Sequence, residues 1–236
     1  MELKFLKGNI ADAKVDAIVL PANTRLKEGS GASEAIFKAA GKKELTKACK
    51  KIGSCEIGSA VPTLGYNLPA KYIVHAVVPR WVDGEHNEYD LLSTTYASAL
   101  ELAEVMECKS IAFPLLASGN NGFDLELALK IALKSIEAYE PKCLELVTLV
   151  IFGNRISEIV KNAGFEVTIL PRNFEADEAE KEQLEARKKM INGVKGVAQQ
   201  FMEAQIQKGI EYLKDPENRE AAVQFGVKIV KMVMKK

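Results

Sequence analysis

A chain of 236 residues, 47% of them hydrophobic, has enough apolar surface to bury a core and implies one domain of ordinary size with something added, which argues against disorder throughout. Its 32 basic and 32 acidic side chains cancel, so no global field draws it to nucleic acid or to an acidic membrane, and an anionic ligand has to be held locally. The four cysteines (Cys49, Cys55, Cys108, Cys143) form no CxxC pair and have only His75 and His86 to help them, which argues against a zinc site.

The opening segment, MELKFLKGNI, lacks the long apolar stretch of a signal peptide, and no apolar run approaches the roughly 18 residues of a membrane span. A cytoplasmic protein with reduced thiols is expected. ELKFLKG reads as an edge strand. Continuous apolar runs of the kind buried strands show then occur at Asp16 to Leu20, Lys71 to Val78, Ser110 to Leu116, Leu146 to Phe152 and Phe165 to Leu170. Helical spacing fills Ser33 to Lys51, Glu88 to Glu107, Leu125 to Tyr139 and Ile156 to Ala163. The alternation predicts an α/β fold, a three-layer α/β/α sandwich around a mixed, mostly parallel sheet, over residues 1–172.

After Pro171 the β-branched runs stop, and FEADEAEKEQLEARKKM is dense in good helix formers. Residues 173–236 are expected to form an all-helical C-terminal extension of two or three helices, with breaks near Gly193 to Gly196 and at Pro216. Its last segment, FGVKIVKMVMKK, is amphipathic and basic. Packing on the main domain with lysines in water competes there with contact to a partner, self-association or a membrane surface.

Two loops carry the chemistry. ASGNNGFD, Ala117 to Asp124, lies between a strand and a helix, where ligands of open α/β sheets sit and where helix N–H groups attract anions. Glycine and asparagine both tolerate left-handed backbone, and successive N–H groups in such a turn form a nest for phosphate oxygens. The same residues also make ordinary turns. The loop is neither a Walker A loop nor a GxGxxG turn. PANTRLKEGSGASEAIFKAAG, Pro21 to Gly41, repeats the arrangement, and two facing anion nests suit a diphosphate bridge such as that of a nucleotide-sugar or ADP-ribose.

The order of motifs resembles the macro domain, the ADP-ribose-binding module, from about Leu3 to Leu170. KGNIADAKVDAIVLPANTRL, GSGASEAIFKAAG, GSAVPTLGYNLPAKYIVHAVVPRW and IAFPLLASGNNGF follow the family's four segments. The resemblance implies that Asn9, in place of the usual aspartate, meets the adenine amino group and that Ile10 lies beside the purine. Asn23 corresponds to the asparagine at the distal ribose, whereas Leu20 replaces its companion. Gly29, Ser30, Gly31 and Ala32 would pass the distal ribose and diphosphate, and Ser118, Gly119, Asn120, Asn121, Gly122 and Phe123 would form the diphosphate loop. Asn121 stands where an aromatic ring commonly covers that ribose.

In the family's hydrolytic members an aspartate at the loop–helix junction activates water, and a histidine follows. Here those positions are Ser33 and Phe37. A serine without a neighbouring base is a poor general base; Glu34, about 100° away on the helix, is the one substitute. His75, in an apolar strand, reads as a core histidine. The leading expectation is therefore a module that binds ADP-ribose, O-acetyl-ADP-ribose or mono-ADP-ribosylated protein. An ADP-ribosyl hydrolase or O-acetyl-ADP-ribose deacetylase lacking the usual aspartate is the alternative, and a scaffold working through its C-terminal helices is the third. No cofactor or metal is expected, nor a nucleic-acid or membrane partner.

Overall fold

The structure is a computed structural model and describes residues 1–170; the expected helical extension and the boundary at 172 lie outside the described residues. Strands β1 (Glu2–Lys7), β2 (Ala17–Ala22), β3 (Ala60–Leu64), β4 (Tyr72–Val77), β5 (Ser110–Pro114), β6 (Leu146–Ile151) and β7 (Val167–Ile169) alternate with helices α1 (Ala32–Ala40), α2 (Lys42–Ile52), α3 (Glu88–Val105), α4 (Leu125–Glu137) and α5 (Asn154–Asn162). One mixed sheet results, in the order β3-β4-β2-β5-β6-β1-β7. Among the described strands, only β3 runs antiparallel to its neighbour. The α/β/α sandwich expected from the alternation is what forms.

Burial explains the sandwich. Ile18, Leu20 and Ala22 of β2 and Ile73 and Val77 of β4 alternate toward one face, where they join Ile36 and Phe37 of α1 and Leu45 and Cys49 of α2 in one buried cluster. On the other face, Tyr96 of α3 and Phe113 of β5 pack ring against ring, with centroids 5.3 Å apart. Both faces of the central strands are covered, so these strands read as unbroken apolar runs.

Four details depart from the sequence reading. β1 is not an edge strand: it pairs with β6 on one side and β7 on the other. The edge is β7, which has three residues and no buried position, so its apolar sequence does not mark a buried strand. β3 carries no continuous apolar run, and Pro62 within it suits its place at the opposite edge. The helix expected from Ser33 to Lys51 is two helices, because Gly41 takes φ +99 between Ala40 and Lys42, a left-handed backbone that breaks the helix and favours glycine.

His75 is a core histidine, as its strand implies. It is 0% exposed, its Nε2 lies 2.8 Å from the Thr63 hydroxyl, and its Nδ1 has no partner among the described residues. Burial pushes its pKa down from 6.5 to about 3. The unfolded chain therefore binds a proton that the fold rejects, so stability falls as pH drops below about 6.5, by about 1.4 kcal/mol per unit. Between pH 6.5 and 5 the expected loss from this group is about 2 kcal/mol. His75→Gln, which keeps a partner for Thr63, should flatten that part of the stability curve in denaturant titrations; an unchanged slope would disprove the assignment.

Candidate functional site

The sheet itself opens the site. β2 continues to Ala22, yet its ladder with β5 stops at Ile18 and Ala112, so the two strands separate toward their carboxyl ends. Their chain connections also lead in opposite directions, from β2 toward β3 and β4 and from β5 toward β6, which makes this the topological switch point where α/β sheets hold ligands. Both sequence-predicted loops leave from this place.

They meet there. The Asn120 side-chain amide donates to the Ser30 hydroxyl at 2.7 Å, bridging positions 90 residues apart. Within the second loop, Gly122 N–H donates to the Gly119 carbonyl and Phe123 N–H to Ala117. Among the described residues, the N–H groups of Ser118, Gly119, Asn120 and Asn121 donate to no protein acceptor. Across from them, α1 starts at Gly31 without a side-chain cap, so its first N–H groups are also unpaired. Its dipole favours negative charge at the same spot.

Left-handed backbone falls elsewhere than the asparagines suggest. Ala117 (φ 61), Gly122 (φ 84) and Gly31 (φ 65) adopt it, whereas Asn120 and Asn121 do not. The asparagines serve as donors instead. Asn121 Nδ2 donates to the Pro79 carbonyl at 3.0 Å, and its backbone carbonyl accepts from the Trp81 backbone N–H at 2.8 Å, so this residue ties the loop to the segment after β4. Phe123 is buried at 3% exposure, with its ring edge-on to Trp81 at 5.2 Å, and contributes packing beneath the loop.

Asn23 is exposed and organises its own loop: Oδ1 accepts from Arg25 and Lys27 N–H, and Nδ2 donates to the Lys27 carbonyl at 2.7 Å. Ser33 is buried, and its hydroxyl accepts from Gly29 N–H at 3.0 Å, pinning the glycine-rich loop to α1. Glu34 is exposed, and its charge reaches Lys42, whose pKa is raised mainly by its hydrogen bond to Glu28. Asn9 caps the 3-10 turn Ile10–Asp12, its Oδ1 accepting from Ala11 N–H at 3.1 Å, and Ile10 is buried beneath it.

Phe152 is the residue the sequence reading missed, having been taken as the end of a buried strand. β6 stops at Ile151, and Phe152 is 85% exposed. Lys7 pairs with Ile151 and Gly8 N–H donates to the Ile151 carbonyl, so Asn9 and Phe152 leave neighbouring strands at the same level. A ring directly before a glycine at the carboxyl end of a parallel strand is the signal that marks it, since packing alone would turn it inward.

Beyond β4, Glu88 organises the loop that carries Trp81. Its burial favours the neutral acid, but hydrogen bonds from its own N–H region and from Gly84, Val82 and Asp83 N–H outweigh that and hold it at about 2. Asp83, His86 and Glu88 approach within 4.8 Å of one another. Their lone pairs are largely spent: Glu88 accepts four backbone N–H groups, and Asp83 pairs with His86 at 2.9 Å. No helix among the described residues is long and apolar enough to cross a membrane.

The chain is thus a mostly parallel α/β/α sandwich with two N–H-rich loops facing each other at its switch point. The macro domain family model matches residues 19–132. A macro domain-containing protein of Caldanaerobacter subterraneus is 43% identical over 170 residues, covering 70% of this chain and 97% of its own length. An O-acetyl-ADP-ribose deacetylase of Escherichia fergusonii is 44% identical over 141 residues, covering 58% of this chain and 79% of its own. Among solved structures, the Oceanobacillus iheyensis macrodomain with ADP superposes with a TM-score of 0.64 at 33% identity, covering 68% of this chain and 88% of its own. The Trypanosoma brucei macrodomain in complex with ADP-ribose gives 0.61 at 30% identity, covering 69% and 68%. The chain belongs to the macro domain family.

Proposed function

We propose that the groove between the two loops binds ADP-ribose or a close derivative, with its diphosphate on the unpaired N–H groups of Ser118 to Asn121 and of the α1 N-terminus. Those N–H groups are the observation that carries the reading. Each is worth on the order of 1.5–3 kcal/mol to a charged oxygen, so no lysine or arginine is required. With the diphosphate between β2 and β5, the extended ligand runs along the carboxyl edge of the sheet. The base takes the end at Asn9 and Phe152, and the distal ribose the end at Asn23 and Gly29 to Ala32. The complex of the related T. brucei macrodomain with ADP-ribose supports this choice of ligand.

Isothermal calorimetry with ADP-ribose, AMP and ADP-glucose tests it. Binding in the roughly micromolar range, about −8 kcal/mol, selective for ADP-ribose, is expected. Trp81 is the sole tryptophan, its backbone N–H is bonded to Asn121 of the second loop and its ring packs edge-on against Phe123, so its fluorescence should change with the same isotherm. The absence of both heat and a fluorescence change would overturn the reading.

Similarity to the E. fergusonii deacetylase supports a second reading, turnover. Against it, the Ser33 hydroxyl accepts from Gly29 N–H and is bonded to no base among the described residues, and Glu34 is exposed on α1. The protein is therefore expected to bind without releasing ADP-ribose from a mono-ADP-ribosylated acceptor, or acetate from O-acetyl-ADP-ribose. Release above a no-protein control, slowed by Glu34→Ala, would establish the hydrolase instead.

A further inference from the structure

The lysines of this chain are not evenly spread, although the chain as a whole is neutral. Helix α2, KKELTKACKKI, holds Lys42, Lys43, Lys47, Lys50 and Lys51, all exposed, against the single acidic residue Glu44. At 100° per residue, Lys43, Lys47 and Lys50 fall within about 60° of arc and span about 10 Å of helix. Lys42, Lys43, Lys47 and Lys50 line one surface depression together with Thr46. Leu45 and Cys49 occupy the opposite side, in the core.

This clustering opposes helix stability, because like charges three and four residues apart repel. Among the described residues, only Lys42 of these five has an ion pair, with Glu28 at 2.6 Å. The position of the stripe is equally particular. Lys42 is bound to Glu28, next to Gly29, and at the far end Cys55 N–H donates to the Thr24 carbonyl at 3.0 Å, next to Asn23. Helix α2 therefore starts beside the Asn23 to Gly31 loop, and the chain just past its C-terminal end returns to that loop.

On the reading proposed above, that loop holds the distal ribose, and a modified protein is bonded to C1″ of that ribose. The acceptor chain therefore leaves the groove alongside α2. We infer that the lysine stripe of α2 docks an acidic polypeptide segment, the Asp/Glu-rich sequence flanking an ADP-ribosylated side chain, and so selects acceptors by the charge around the modification. A stripe of about 10 Å matches three or four residues of extended peptide at about 3.3 Å each. It is short for a nucleic-acid footprint, where typically about 6–10 phosphates are contacted, and α2 offers no aromatic side chain for bases to stack on.

The test measures fluorescence anisotropy of two mono-ADP-ribosylated peptides that differ only in flank, glutamate-rich or serine-rich, on the full chain and on Lys43→Glu/Lys47→Glu/Lys50→Glu. The glutamate-rich peptide is expected to bind roughly tenfold tighter at low salt, from three exposed charge pairs. The triple variant should lose that advantage while its affinity for free ADP-ribose stays unchanged. The triple glutamine variant, which disturbs helix charge less, should show the same loss if the glutamate form does not fold.

Equal affinity for the two flanks, or an advantage that survives both variants, would overturn the inference. So would a single-stranded oligonucleotide that displaces the acidic peptide at lower concentration than an unmodified glutamate-rich peptide does. Failure of free ADP-ribose to bind would be failure of the pocket reading alone. The unmodified glutamate-rich peptide, binding the natural chain but not the triple variant in a salt-dependent way, then decides the stripe.

Discussion

Gly119→Glu is expected to abolish ADP-ribose binding while leaving the fold intact. Gly119 is exposed at the centre of the run of unpaired N–H groups, and a Cβ built on it meets no atom within 4 Å. Its backbone is outside the left-handed region, so a side chain there introduces no strain. The melting temperature should therefore stay within roughly 2 °C. A carboxylate about 4 Å from one phosphate charge costs on the order of 4 kcal/mol at an effective dielectric constant of about 20, close to a thousandfold in affinity. Gly119→Ala adds bulk without charge and should bind within a few-fold of the natural protein. If the glutamate variant binds normally, the diphosphate does not lie on this loop; if the alanine variant also fails, bulk rather than charge is excluded there.

The physical basis of that prediction was only partly legible in the residues. Both loops could be placed from sequence because glycines and asparagines between an apolar run and a helical pattern mark a strand-to-helix turn. The strands buried on both faces were legible for the same reason, each being an unbroken apolar run. What each polar side chain does was not. Asn23 and Asn121 look like ligand contacts, yet three side-chain hydrogen bonds of Asn23 and one of Asn121 hold the loops in shape. The aspartate-to-serine change at Ser33 reads as a loss of catalysis, but the structure adds that the hydroxyl restrains Gly29, a tertiary contact no spacing reveals. β1 read as an edge strand because it is half polar; its place between β6 and β7 follows from β7, too short and exposed to register as the true edge.

Phe152 gives the sharpest test of where the base lies. A ring 85% exposed contributes little to the core, so removing it should leave stability within about 0.5 kcal/mol. If the base stacks on it, Phe152→Ala should weaken ADP-ribose binding by about 1–3 kcal/mol, roughly 5- to 150-fold. Phe152→Tyr keeps the aromatic face and should restore most of the loss. Asn9 acts on a different property. Its Oδ1 already accepts from Ala11 N–H, so its free amide hydrogens are best placed to donate to an acceptor on the edge of the base. Asn9→Asp would remove that donor, so it should change preference among bases, measured with ADP-ribose against its hypoxanthine analogue, while Phe152→Ala should weaken both ligands alike. A Phe152→Ala variant with unchanged affinity would remove the base from the β6 end of the groove, and the ligand would then have to run in the opposite direction between the same two loops.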